Sequence, residues 1–76
     1  MSTLPAFIKT QPDRPMREWA DMFGISRPHL IALLDGTRAP SLAVARRIQQ
    51  QTAGAVPITA WPNIAAVIDA ARGDAA

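Results

Sequence analysis

A chain of 76 residues is a single domain with a small core, and its 49% hydrophobic content supplies the apolar material for that core. It contains no cysteine, which excludes a disulfide framework and a thiolate metal site and fits a reducing compartment. The net charge is only +2, yet seven basic residues stand against four acidic ones in residues 1–50, and one against two in residues 51–76.

Of the basic residues only Lys9 is not arginine. The planar arginine fork suits phosphate and guanine better than the lysine ammonium does. No apolar run approaches the roughly 20 residues of a membrane span. The N-terminal "MSTLPAFIKTQ" has no basic stretch followed by a long apolar one, so no signal peptide is expected. The expected location is the cytoplasm.

Strand-like alternation is hard to find, and the chain reads as helices punctuated by proline and glycine. Residues 3–10 predict a short first helix, with Thr3 as its cap and Pro5 in its first turn. Pro12 and Pro15 break it. Residues 16–23, "MREWADMF", predict a second helix, with Met16, Trp19, Ala20 and Phe23 on one face and Arg17 and Asp21 on the other. Gly24 stops it. Ser26 caps a third helix, and Pro28 is tolerated in its first turn. Leu30, Leu33 and Leu34 form its inward stripe. Pro28, Ile31, Ala32 and Asp35 point outward, flanked by Arg27 and His29, and Gly36 ends it.

Ser41 caps a fourth helix over about 42–52, with Val44, Ala45 and Ile48 inward. "TAGAVPITAW" reads as a connector. Pro62 opens a fifth helix over about 62–72, with Ile64, Val67, Ile68 and Ala71 as its apolar stripe and Gly73 as its stop. The fold class is therefore all-α, a compact bundle of about five short helices in one domain over residues 1–76.

Two short helices joined by "FGIS" have the form of a helix-turn-helix, here residues 16–35. The tight turn needs a residue at positive φ, which Gly24 supplies. Close crossing needs a small residue four positions earlier, Ala20, and an apolar residue in the middle of the second helix, Leu30. Each element alone is weak evidence; the frame of three, capped at both ends, is fairly specific.

On these residues the stretch 15–52 resembles the helix-turn-helix domain of phage repressors and Cro-type regulators. "GISRPHLIALLDGTRAPSL" is similar to the family's turn, recognition helix and the Pro-Ser that opens the next helix. "RRIQQQTAGAVPITAW" is similar to the segment that follows in a Cro-like prophage subgroup. The resemblance implies a lambda-repressor-like bundle whose second motif helix lies in the DNA major groove. It puts Arg27, Pro28, His29, Ile31 and Ala32 against base edges. It puts Arg17, Ser26, Thr37 and Arg38 against the phosphate backbone, with Met16 at a position where the family often has glutamine. The outward Pro28, Ile31 and Ala32 are apolar where the family usually offers polar groups, which leaves contact with thymine methyls as their means of reading.

The function this implies is a sequence-specific double-stranded DNA-binding transcriptional regulator of phage or prophage repressor type, acting as a homodimer on a short palindromic operator. Pairing is expected through Trp61, Ile64, Val67, Ile68 and Ala71. The alternative for that stripe is closure of the chain's own core. A second function class stays open: a protein-interaction module on the same fold, such as an antitoxin-type partner or a phage-encoded inhibitor. No enzyme is expected. His29 is the only histidine, and Ser26, His29 and Asp35 on one short helix cannot build a hydrolytic triad. No cofactor, metal, membrane or small-molecule substrate is expected. Trp19 and Phe23 are expected in the core, and Arg46 and Arg47 on the outer face of the fourth helix.

Overall fold

Three hydroxyl side chains open three helices. Thr3, Ser26 and Ser41 each accept a hydrogen bond from the backbone N–H three residues on, at 3.4, 3.2 and 3.3 Å. They start α1 (Leu4–Lys9), α3 (Arg27–Asp35) and α4 (Leu42–Gln51) in a computed structural model that describes residues 2–75. Between the first two lies α2 (Met16–Phe23), which follows Pro15 with no side-chain cap, and the last helix is α5 (Pro62–Ala75). The described residues form no strand, so the all-helical class is what the chain adopts.

The turn between α2 and α3 is built as its glycine requires. Gly24 sits at φ +68°, in the left-handed region. Its N–H donates to the Asp21 carbonyl at 3.2 Å, and the Ile25 N–H donates to the Ala20 carbonyl at 3.0 Å. That pair of bonds satisfies the carbonyls a helix end leaves open and sends the chain back across α2. Ile25 then packs against the core.

The core is shared by every helix. Trp19, Ala20 and Phe23 of α2 meet Leu30 and Leu33 of α3, Ala45 and Ile48 of α4, and Ile64 of α5. Trp19 stacks on Phe23 with ring centroids 6.0 Å apart, and the edge of Phe7 meets it at 6.1 Å. Leu4, Val56 and Trp61 complete the same cluster. Of these three, the sequence gives a reason only for Trp61. Leu4 is buried because the N-terminal segment is strapped down, with the Ser2 N–H donating to the Ala55 carbonyl at 2.9 Å.

Residues 52–61 do more than connect. Thr52 is buried, and its hydroxyl donates to the Ile48 carbonyl at 2.8 Å while accepting from the Val56 N–H at 3.2 Å. Val56 is carried inside by this arrangement. A single turn of 3-10 helix follows at Ile58–Ala60, held by the Ile58 N–H donating to the Gln49 side-chain oxygen at 3.0 Å.

The expected stop at Gly73 does not occur: α5 runs through it to Ala75. A glycine inside a helix costs only about 1 kcal/mol relative to alanine, so it ends a helix only when capping bonds or tertiary contacts reward the turn. The molecule is elongated, 45 × 21 × 18 Å, with a radius of gyration of 13.0 Å. A spherical domain of this length would have about 11 Å. The far part of α5 accounts for the shape. Ile64 is buried and Ile68 half-buried, but Asp69, Ala70, Ala71 and Arg72 are all exposed, on every side of the helix.

Candidate nucleic-acid interface

The α2–α3 pair presents one long side of α3 to solvent. Leu30 and Leu33, at 0% and 3% exposure, anchor the other side in the core, with Leu34 half-buried beside them. This orients the rest by helix geometry. Arg27, Pro28 and Ile31 stand exposed, Ile31 at 42%, while His29 and Ala32 are half-buried beside them. Three of the five expected base-facing residues, Arg27, Pro28 and Ile31, therefore share the exposed side, while His29 and Ala32 lie toward the packed one. Arg27 is the one long donor among them that is free of the core.

Ser26 is exposed, and its oxygen accepts the His29 N–H, leaving its O–H proton able to donate outward. Arg17 is exposed on the first turn of α2. The first N–H groups of a helix have no internal acceptor, and no side chain caps α2, so its start offers backbone donors and the helix dipole beside Arg17, while the Glu18 carboxylate in the same turn acts against an anion. Met16 sits differently: it is half-buried and packs against the core, so it braces α2 rather than facing outward.

The loop after α3 is tied more tightly than its composition suggests. Gly36, at φ +78°, turns the chain, and the N–H groups of Thr37 and Arg38 both donate to the Ala32 carbonyl, at 3.1 and 3.3 Å. The Thr37 hydroxyl donates to the same carbonyl at 3.3 Å. Thr37 thus shapes the loop, and its hydroxyl reaches a phosphate only by giving up that bond. Arg38 keeps an exposed side chain, so the loop's outward chemistry rests on its guanidinium.

Two arginines have structural work that no local sequence signal announces. The Arg14 guanidinium lies over the Trp19 ring, 4.8 Å from its centroid, and donates to the Met22 sulfur. Arg47 of α4 donates from Nε to the Met22 carbonyl at 3.1 Å. That carbonyl lies in the last turn of α2, where a cation is favoured by the helix dipole. Arg46 is exposed on the outer side of α4, as expected.

The residues expected to pair two copies are divided by the fold. Trp61 and Ile64, at 8% and 7% exposure, belong to this chain's own core, and Ile68 is half-buried against it. Val67 is 69% exposed, and Ala71 is exposed beyond the globule. Leu42, 51% exposed at the start of α4, borders the same shallow groove as Val67, Ile68 and Ile58.

Among the described residues no group of His, Cys, Asp and Glu side chains is placed to hold a metal ion, and no helix is long and apolar enough to cross a membrane. Compared with known proteins, the chain matches no family model, no curated protein and no solved structure.

Proposed function

We propose that this chain is a sequence-specific double-stranded DNA-binding transcriptional regulator of phage or prophage repressor type, with α3 as the helix that enters the major groove. The observation that carries this is the α2–α3 pair itself: a left-handed glycine turn, a serine-capped second helix, and an outward side with Arg27 at its N-terminal end. That is the end of a recognition helix that meets base edges. Arg17 and Arg38 supply charge at the start of α2 and in the loop after α3, where the sugar–phosphate backbone would run on either side.

A mobility shift on random duplex DNA at low salt tests the reading. Phosphate-driven binding that weakens as salt rises supports it; no shift at any salt concentration rejects it. Selection from a random DNA pool then returns the operator, expected to be short and palindromic. The roles within the site separate by mutation. Arg27→Ala is expected to cost about 1–3 kcal/mol and to relax preference at one base position. Arg38→Ala is expected to weaken binding evenly across sequences and to reduce the salt slope by about one. Equal losses on every sequence for both variants would show that Arg27 does not read bases.

The protein acts as a homodimer in this reading, since one such motif reads few base pairs and the net charge of +2 gives a lone copy a weak electrostatic hold. Val67, Ala71 and Leu42 supply the free apolar surface for pairing. Val67→Glu is the clean test, because its side chain is largely in water already. The variant is expected to keep its helical content and melting behaviour as a monomer while sedimentation shows the wild type as a dimer. A wild type that stays monomeric at high micromolar concentration and binds one copy per site would remove the dimer from the proposal.

One observation favours a second reading. Pro28 and Ile31, exposed on the outward side of α3, suit a protein partner as well as thymine methyls. In that reading the chain is a protein-interaction module on the same fold, and the low-salt mobility shift stays blank.

A further inference from the structure

The direction in which α3 points is set at one remove. Its main helical partner is α2, and α2 in turn packs on α4, so the rest of the molecule places α3 mainly through α2. Beyond α4 the contacts run on through the 3-10 turn at Ile58–Ala60 to α5. The end of α2 therefore lies on the path between the outward side of α3 and the apolar surface of Leu42 and Val67.

That end is bonded from two directions. The turn at Gly24 occupies the Ala20 and Asp21 carbonyls, two of the four that close α2. The next carbonyl, that of Met22, accepts the Nε–H of Arg47 from α4 at 3.1 Å. The guanidinium also brings positive charge to a helix C-terminus, so bond and dipole act together. Arg14 reaches Met22 too, but at its sulfur and from the segment just before α2, so it ties α2 to no other helix. Arg46 is a natural comparison. It neighbours Arg47 on α4, is equally exposed and carries the same charge, yet among the described residues it makes no hydrogen bond or ion pair.

We propose that Arg47 is a positioning residue for DNA reading: by holding the end of α2 to α4, it fixes the angle between α3 and the surface on α4 and α5 that pairs two copies. It acts through α2 rather than on DNA. The proposal rests on the reading of the chain as a DNA-binding homodimer. Two copies engage a palindrome only when their two α3 helices match the spacing of its half-sites. A loosened joint leaves each α3 able to enter a groove and blurs that match.

The experiment reads the whole chain free and on DNA. In the free protein, amide hydrogen exchange at Gly24 and Ile25, whose N–H groups close the turn, reports how often that turn opens. Arg47→Gln is expected to quicken it about 3- to 10-fold, the scale of one net hydrogen bond, and Arg46→Gln to leave it unchanged. On DNA, mobility shifts compare the selected operator with a version carrying one extra base pair between its half-sites. That insertion moves one half-site by about 3.4 Å and turns it by about 35°. The wild type and Arg46→Gln are expected to reject the longer operator equally. Arg47→Gln is expected to discriminate several-fold less, while losing the same affinity for random duplex as Arg46→Gln, since each gives up one charge. Arg47→Lys keeps the charge but sets a methylene where Nε–H donates. It is expected to hold random-duplex affinity and lose discrimination, and it stands in should Arg47→Gln fail to fold. A wild type that discriminates, beside Arg46 and Arg47 variants that behave alike in exchange or in discrimination, overturns the proposal and leaves the DNA-binding reading standing. A wild type that shifts no duplex, or ignores the extra base pair, rejects that reading or its pairing, and the proposal falls with it.

Discussion

Leu30→Ala is expected to lower stability by about 2–5 kcal/mol, the cost of emptying a fully buried leucine site that cannot collapse. Leu30 has 0% exposure and lies where α3 crosses α2. A chain of this length holds only about 4–11 kcal/mol in total. Losing a few of them lowers the melting temperature by roughly 10 °C or more, since each kcal/mol moves it by about 4–8 °C in so small a domain. The neighbouring Ile31→Ala is the control. At 42% exposure it is expected to melt close to the parent. Thermal unfolding followed by helical circular dichroism reads both. If the two variants melt alike, α3 does not pack by the Leu30 side, and the assignment of Arg27, Pro28 and Ile31 to its outer side falls with it.

Gly24→Val is expected to cost about 2–3 kcal/mol, near the top of the range for a residue held in a sparsely populated backbone region. The cause is conformational alone. From the frame of Ala20 and Gly24 one would expect a side chain there to wedge the two helices apart. The structure corrects this: a Cβ on Gly24 would meet no atom within 4 Å. What remains is φ +68°, which a β-branched residue adopts only under strain. A graded series follows. Gly24→Asn should lose least, Gly24→Ala about 1–2 kcal/mol, and Gly24→Val most. A flat series, or an Asn variant worse than Val, would mean the turn is not held in the left-handed form.

Those two residues also show how much of the fold was legible. Ser26, Gly24, Ser41 and Gly36 act on their own neighbours within about four positions. Their residue types therefore announce helix ends with little help from the rest of the chain, and the limits of α2, α3 and α4 came out close to those expected. The inward side of α3 was legible for the same reason, because helical spacing places Leu30 and Leu33 together.

What stayed hidden depends on partners far along the chain. Nothing near Arg47 says that it reaches the Met22 carbonyl, 25 positions away. Nothing in "TAGAVPITAW" says that Val56 is fully buried, because the Thr52 bond that turns it inward is itself a product of packing. Trp61 and Ile64 looked equally fit to close one core or join two. Only the placement of α5 separates them from Val67. In the candidate site, the positions of Arg27, Ile31 and Arg38 were readable. The engagement of the Thr37 hydroxyl with Ala32 was not, because it arises from how tightly the Gly36 turn folds back.

The Thr52 hydroxyl also decides which side chains this position tolerates. It serves three backbone groups at once, giving its proton to the Ile48 carbonyl with the Gln49 carbonyl close by and taking that of Val56, in a place with 5% exposure. Valine has the same shape and neither capacity, so it would strand the Val56 N–H in an apolar surround. Serine keeps both bonds. Thr52→Val is therefore expected to destabilise the fold more than Thr52→Ser, as thermal unfolding would read. The buried hydroxyl at the end of α4 is thus a pin for the residues that follow it, setting where Val56 enters the core.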